Sequence, residues 1–368
     1  MESGPSSGEM GITPTQTPMT LLSLSASTLP LVFHDVITIS PDDGPDSNYP
    51  LICVIDYPPD FALAHDYLRA LLQSNERSER ALSLTTWCLK LNPANYTTWT
   101  YRRDILKERG YDRHAELQWT ATLGGRNPKH YQLWHHRRAI LEKESLPLQL
   151  QQNKESNIVQ EELIYITQVL NEDGKNYHAW SHRQWILLTY NSTILWQQEL
   201  PFIDTLIIDD GRNNSAWNHR WFVTHNTEHC NNNNNKLTRD QASSEASYAI
   251  VHCQLDPYNE SPWRYLIGVL KEVQVPDLVD EFQSKAVTLK SVLIQAKRDP
   301  ESCVSLNSAL IDMMEMRNTL DTCQQAMELA QVMAQMYDTI RVKYWNLRKQ
   351  TLQAKIQHLL QGKDESIS

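Results

Sequence analysis

No stretch of the 368 residues approaches the roughly 20 consecutive apolar positions that a membrane-spanning helix needs. Cysteine is scarce and unpatterned. The six (Cys53, Cys88, Cys230, Cys253, Cys303, Cys323) form no CxxC pair, and no basic segment leads into an apolar stretch and a small-residue cleavage site at the N-terminus. Reduced thiols in the cytosol fit this better than a disulfide framework, so the expected localisation is cytoplasmic. Basic residues are outnumbered, 34 Lys and Arg against 44 Asp and Glu, and the net charge of −10 argues against a general nucleic-acid binder. A small local basic site for phosphate stays open. Strand signals are few, and only 51–55 (LICVI) reads as extended.

What is present is a repeat, Asn-x-x-x-Trp-x-x-Arg. Asn95, Trp99 and Arg102 form the first copy; Trp134 and Arg137 the second, with His130 in the Asn place. Asn176, Trp180 and Arg183 form the third, and Asn213, Trp217 and Arg220 the fourth. Asn259 and Trp263 begin a fifth, in which Leu266 replaces the Arg. Seven residues before each Trp stands Asn92, Asn127, Asp173, Asp210 or Asp256, followed by Pro or Gly. Asx-Pro predicts a helix start, with the Asx oxygen as cap and Pro at the first helical position. Asx-Gly predicts a turn just before the helix, with the Asn three residues on as cap. The same offset adds anchors at Leu306, after Asp299-Pro300, and at Trp345, after Asp338.

The seven anchors are spaced by 35, 46, 37, 46, 43 and 39 residues, a mean of 41, the length of a helical hairpin. Ala81, Leu84, Cys88 and Leu91, and Ala246, Ile250 and Cys253, step by 3 or 4 and predict the second helix of each pair. The expected fold is all-α, a right-handed superhelical solenoid of about seven hairpins over residues 51–360. A mostly disordered tail is expected at 1–50, and fraying at 361–368. Residues 146–157 and the five Asn at 231–235 read as insertions, the former lengthening a turn.

A Trp and an Arg three apart share a helix face, and their recurrence favours structure: Trp filling the space between pairs, Arg satisfying carbonyls or acids of a neighbour. The adjacent His135 and His136 lack the i, i+4 spacing of helical zinc ligands, and the cluster His219, His225, His229 and Cys230 runs into the polyasparagine stretch, which cannot preorganise a site, so no metal is assigned to this chain. Tetratricopeptide arrays have a shorter, more regular period, and HEAT or armadillo arrays lack the Trp and Asx marks.

The Trp-x-x-Arg repeats resemble those of protein prenyltransferase α subunits over roughly residues 60–350. The repeats alone also fit the α subunit that serves Rab-type GTPases, or a non-catalytic helical adaptor. The segment DYLRALLQSNERSERALSLT (66–85), above all ERSERA (76–81), together with NPKHYQLWHHRR and KNYHAWSHRQW, resembles the α subunit shared by farnesyltransferase and geranylgeranyltransferase type I.

That resemblance implies a heterodimer with a catalytic β subunit. The enzyme would transfer farnesyl or geranylgeranyl from its diphosphate to the Cys of a C-terminal CaaX sequence on proteins such as small GTPases. It implies zinc bound by the β subunit and magnesium with the diphosphate. Lys129 matches the family's diphosphate-contacting Lys, where a cation would stabilise charge on the leaving group. Read without the resemblance, it is a solvated lysine near a helix N-terminus, where the dipole disfavours a cation. Tyr131 matches a Tyr close to the substrates, and Gln132 the residue that hydrogen-bonds the peptide carboxylate. Asn176, Tyr177 and His178 match residues near the diphosphate and the site mouth, and Ala94 and Tyr96 the terminal-residue pocket. His130, in place of Asn, either changes local titration or replaces an amide hydrogen bond.

Overall fold

The computed structural model describes residues 22–41, 55–125, 128–142, 148–226 and 236–365. Among the described residues there is no strand. Two compact units divide the chain, through Gln184 and from Trp185 on. The first contains α1 (Leu29–Val32), α2 (Pro59–Gln73), α3 (Glu79–Leu91), α4 (Tyr96–Arg109), α5 (Arg113–Gly124), α6 (Tyr131–Leu141) and α7 (Leu148–Glu172). The boundary falls within α8 (Tyr177–Tyr190). The second unit continues with α9 (Thr193–Asp209), α10 (Asn214–Asn226), α11 (Arg239–Leu255) and α12 (Glu260–Val273). It ends with α13 (Pro276–Gln295), α14 (Val304–Arg317), α15 (Leu320–Val332) and α16 (Val342–Glu365). Sequential helices pack on one another: α2 on α3, α3 on α4 and α5 on α6 in the first unit, α9 on α10, α11 on α12 and α14 on α15 in the second.

Local chemistry sets the helix ends. Ser78 caps α3 through the Ala81 N–H, Asn95 caps α4 through Thr98, and Asn259 caps α12 through Ser261. The helix-start reading of Asx-Pro is corrected at Asn92-Pro93 and Asp256-Pro257, where Asn92 and Asp256 are instead the C-caps of α3 and α11. Their oxygens accept the N–H two residues on, from Ala94 and Tyr258, because closing an Asx turn is easier than capping a helix still three residues away. Asp173 and Asp210 do the same with Lys175 and Arg212, so the reading made for Asx-Gly holds for all four; Asn127 lies outside the described residues. At Asp299-Pro300 the Asx does begin helical backbone, the short 3-10 turn Pro300–Ser302.

The Pro or Gly of the mark has a further use. Its carbonyl accepts the indole N–H of the Trp six residues later, Trp99 to Pro93 and Trp134 to Pro128 at 2.8 Å, Trp180 to Gly174 at 3.0 Å, Trp217 to Gly211 and Trp263 to Pro257 at 2.9 Å. Trp345 instead donates to the Asp338 carboxylate at 2.7 Å. All six Trp are buried, and Leu306 stands buried in the sixth place. A large apolar body thus fills each unit while its single polar atom closes the turn.

The repeat arginines are buried ion-pair centres. Arg102 grips Glu116 through Nε and Nη2, both at 2.7 Å, and donates from Nη1 to Thr85 and Thr86 and the Leu82 carbonyl. Arg137 holds Glu162 through Nε at 2.8 Å, and Arg220 holds Glu245 at 2.6 and 2.9 Å. Glu116, Glu162 and Glu245 each take a second donor from the following repeat, His136 at 2.8 Å, His182 at 2.9 Å and Tyr265 at 2.6 Å, and His219 donates to Glu199 at 2.9 Å. Guanidinium faces also cover aromatic rings, Arg102 over Trp119 at 3.8 Å, Arg137 over Tyr165 at 3.9 Å and Arg220 over Tyr248 at 3.6 Å. The structural reading of the Trp and Arg therefore holds.

Other expectations need correction. The disordered tail set at 1–50 does not extend over 22–41: Leu29 and Phe33 are buried, Phe33 lies 5.3 Å from the Tyr67 ring, and Asp35 pairs with Arg80 at 2.6 and 2.9 Å. The segment 146–157 does not lengthen a turn from Leu148 onward, where α7 begins; residues 146 and 147 lie outside the described residues. Helix α16 runs through Glu365 rather than fraying from 361. The LICVI strand falls outside the described residues except for Ile55, as does the polyasparagine segment. On α3, Ala81, Leu84 and Cys88 are buried as expected, while Leu91 is exposed at the helix end.

Glu116→Gln, which leaves Arg102 buried without its counter-charge, is expected to lower unfolding free energy by about 3–5 kcal/mol in urea titrations followed by tryptophan fluorescence. Burial pushes His136 down to about 4, against the pull of Glu116. Burial also pushes Glu116 up, but Arg102 and His136 outweigh it and hold the carboxyl at about 2. Both groups bind protons more readily when unfolded, so stability is full above the unfolded His value of 6.5. It falls as pH drops from there towards 4, and again as the carboxyl protonates from its ordinary 4.5 down towards 2. The His136→Gln variant, measured over the same pH series, should lose the upper part of that decline. His130 gives α6 no side-chain cap, so His130→Asn should add about 0.5–1 kcal/mol in the same assay.

Candidate functional site

The predicted site residues lie in the turns and first helical positions of the first three repeats, all within the first unit. Because the Trp and Arg of each repeat point inward, the residues beginning each helix are left outside. Tyr96, Tyr131 and Tyr177 are the first residues of α4, α6 and α8 and are 69%, 60% and 76% exposed. Three large rings at equivalent places remain unburied by their own unit.

The second and third repeats meet here. Lys129, 76% exposed in the turn before α6, places Nζ 3.0 Å from Oδ2 of Asp173 in the next turn. The Lys129 ammonium draws the Asp173 carboxyl below its ordinary value, helped by the Lys175 backbone N–H. The Tyr131 ring stands edge-on to His178 at 6.2 Å and to His135 at 6.1 Å, and Tyr177 lies edge-on to His178 at 5.7 Å. Gln132 is half-buried on the first turn of α6.

Asn176 is engaged within the chain. It is only 2% exposed and its side chain is committed internally: Nδ2 donates to the Pro128 carbonyl at 3.1 Å, and Oδ1 accepts from the His178 and Ala179 N–H groups. It caps α8 and ties this turn to the residue preceding Lys129. Asn259 does the same one pair of repeats on, with Nδ2 2.7 Å from the Gly211 carbonyl.

Ala94 and Tyr96 stand apart from this group. Among the described residues no hydrogen bond or ring contact joins them to Lys129, Tyr131 or His178. Ala94 is exposed in the first turn, and Tyr96 borders a surface depression of about 240 Å³ shared with Arg77, Thr100 and Asp104. Among the described residues no three His, Cys, Asp or Glu come together to hold a metal ion. His136 and His219 are engaged with buried glutamates, and His225 donates to Glu272 at 2.7 Å.

Sequence reasoning missed two sets of residues. By its sequence Asp173 is a turn former only, and the structure makes it the partner of Lys129. The buried glutamates went unnoticed, yet Glu116, Glu162, Glu199 and Glu245 each precede their His or Tyr donor by 20 residues. That constant offset is a signal the sequence carries.

The protein prenyltransferase alpha subunit repeat matches residues 78–109, 113–144, 159–190 and 196–227, which hold the first four Trp anchors. The protein farnesyltransferase/geranylgeranyltransferase type-1 subunit alpha of Dictyostelium discoideum is 35% identical over 326 residues, spanning 87% of this chain and 92% of that protein. The subunit of the same name from Solanum lycopersicum is 42% identical over 93 residues, 25% of this chain and 26% of that one. Among solved structures, Candida albicans protein geranylgeranyltransferase-I complexed with GGPP matches with a TM-score of 0.69 at 26% identity, over 87% of this chain and 98% of that chain. Near-complete coverage of a named relative, with the repeat register already found in the turns and tryptophans, means that this chain belongs to the farnesyltransferase/geranylgeranyltransferase type-1 alpha-subunit family.

Proposed function

We propose that this chain is the α subunit of a heterodimeric CaaX protein prenyltransferase. The enzyme transfers farnesyl or geranylgeranyl from its diphosphate to the Cys thiolate of a C-terminal CaaX sequence. A β subunit completes it, and small GTPases are typical of the proteins such a sequence marks. The family membership supports the identity, and so does the likeness to a geranylgeranyltransferase-I solved with GGPP.

The observation that carries the site assignment is Lys129 at the mouth of α6. Its ammonium is exposed, and His130 leaves the first N–H groups of that helix without a side-chain cap. A positive side chain beside a positive helix end is unfavourable without an anion, and favourable with one. The Asp173 carboxylate 3.0 Å away offsets part of that charge, and the two ammonium donors it leaves over suit the oxygens of a diphosphate. As the thiolate attacks C1 of the isoprenoid, the C1–O bond breaks and its electron pair leaves with the diphosphate. Charge grows where Lys129 can donate, so the cation stabilises the transition state more than the bound substrate.

Tyr131 stands beside this point as a second donor to the reacting end, and Tyr177 and His178 border it. Gln132, Ala94 and Tyr96 are assigned to the peptide: Gln132 to its terminal carboxylate, the other two to its last side chain. Asn176 serves by holding the Lys129 turn in place. Zinc is assigned to the β subunit, where it would hold the peptide Cys as thiolate. Magnesium is assigned to the diphosphate. No described helix is long and apolar enough to cross a membrane, and the proposed location is the cytoplasm.

Single-turnover prenyl transfer by the chain co-purified with a β subunit tests the reading. Lys129→Ala should slow the chemical step by about 10²–10³-fold while isoprenoid diphosphate binding is largely kept. An active complex indifferent to Lys129→Ala would remove the catalytic assignment, and failure to form any complex would remove the subunit assignment.

A further inference from the structure

Asp173 is a turn residue by sequence, but the structure gives its carboxylate two partners of different kinds. Oδ1 accepts the backbone N–H of Lys175 at 3.1 Å, closing the turn before α8. Oδ2 faces the Lys129 ammonium at 3.0 Å. Both ends of this ion pair are anchored by one residue: the Asn176 N–H donates to the Asp173 carbonyl at 2.9 Å, and its side-chain Nδ2 donates to the carbonyl of Pro128, next to Lys129. The carboxylate is therefore fixed in place, whereas the lysine on its flexible four-carbon stem is not fixed by packing.

We propose that Asp173 is the positioning residue of Lys129, holding its ammonium where the leaving diphosphate develops charge. The inference rests on the reading of Lys129 given under Proposed function. An ammonium has three N–H donors, so one bond to Asp173 leaves two for phosphate oxygens and fixes their direction. An exposed ion pair adds little to stability, so the pair's effect falls on orientation. Asp173 touches neither substrate in this scheme; it acts through Lys129.

The chain contains its own control. In the second unit Arg212 pairs with Asp256 at 2.6 and 3.0 Å, the Asp256 Oδ1 accepts the Tyr258 N–H at 3.2 Å, and Asn259 ties the turn to the Gly211 carbonyl at 2.7 Å. The architecture is the same, and no substrate contact is assigned to it. Asp→Asn at either place keeps an oxygen for the Asx turn and deletes only the charge. A purely structural tie would make the two substitutions equivalent.

The test is single-turnover transfer in the α/β complex with Asp173→Asn, Asp256→Asn, Lys129→Ala and the double variant of Asp173 and Lys129, with the complex's unfolding midpoint measured for each. Asp173→Asn is expected to slow transfer about tenfold or more with diphosphate affinity little changed. Asp256→Asn should keep the wild-type rate with a similar shift in midpoint. The double variant should be no slower than Lys129→Ala alone, and Asp173→Glu should recover part of the rate. A wild-type rate for Asp173→Asn would overturn the inference, and so would equal slowing by Asp256→Asn. A full multiplication of the two effects in the double variant would also overturn it. If Lys129→Ala alone is fast, the reading of Lys129 fails and this inference with it. If Lys129→Ala is slow and Asp173→Asn is fast, only the positioning role is lost.

Discussion

Each buried glutamate between two repeats is shared. Arg102 and His136 meet on Glu116, Arg137 and His182 on Glu162, Arg220 and Tyr265 on Glu245. A carboxylate at that depth is costly unless its oxygens are fully paired, and the bidentate arginine alone leaves capacity for another donor. The next repeat supplies it. Repeats joined this way cannot be displaced relative to one another without stranding a charge, so the register of the first unit is fixed by electrostatics as well as by packing. The indole of each repeat adds the local counterpart, a buried Trp whose only polar atom is bound to the turn beneath it.

This division of labour decides where chemistry can occur. With Trp, Arg and His turned inward, each repeat presents outward its turn and the first residue of the following helix. In the second and third repeats those positions carry Lys129, Tyr131, Tyr177 and His178. Asn176 belongs to both systems: it caps α8 and at the same time clamps the turn that carries Lys129. A site built on such turns inherits the rigidity of the buried ladder, which suits a role in which a cation must be placed before the leaving group departs.

Much of this was legible in the sequence, for identifiable reasons. The Trp, the capping Asn and the Asx-Pro or Asx-Gly turn recur because each performs one local task, and local tasks leave a fixed spacing. The structural role of the Arg followed from its repetition. The glutamates escaped because their distance from the Arg varies, 14 residues for Glu116 and 25 for Glu162, with the length of the connecting segment. Only their offset to the following His is constant. The Lys129–Asp173 pair escaped for a related reason, since it joins two turns across a whole repeat. Residues 22–41 were hidden by a composition rich in Ser, Thr and Pro, although Leu29 and Phe33, one helical turn apart, were enough to seat the segment.

The central claim is that the turns of the second and third repeats, held from beneath by the buried ladder, receive the isoprenoid diphosphate. Amide hydrogen exchange on the α/β complex, with and without geranylgeranyl diphosphate, addresses it most directly. The ligand is expected to slow exchange in residues 128–132 and 173–178, with the turn around Asp256 unchanged. Ligand binding that leaves 128–132 exchanging as before, or that protects the Asp256 turn instead, would contradict it.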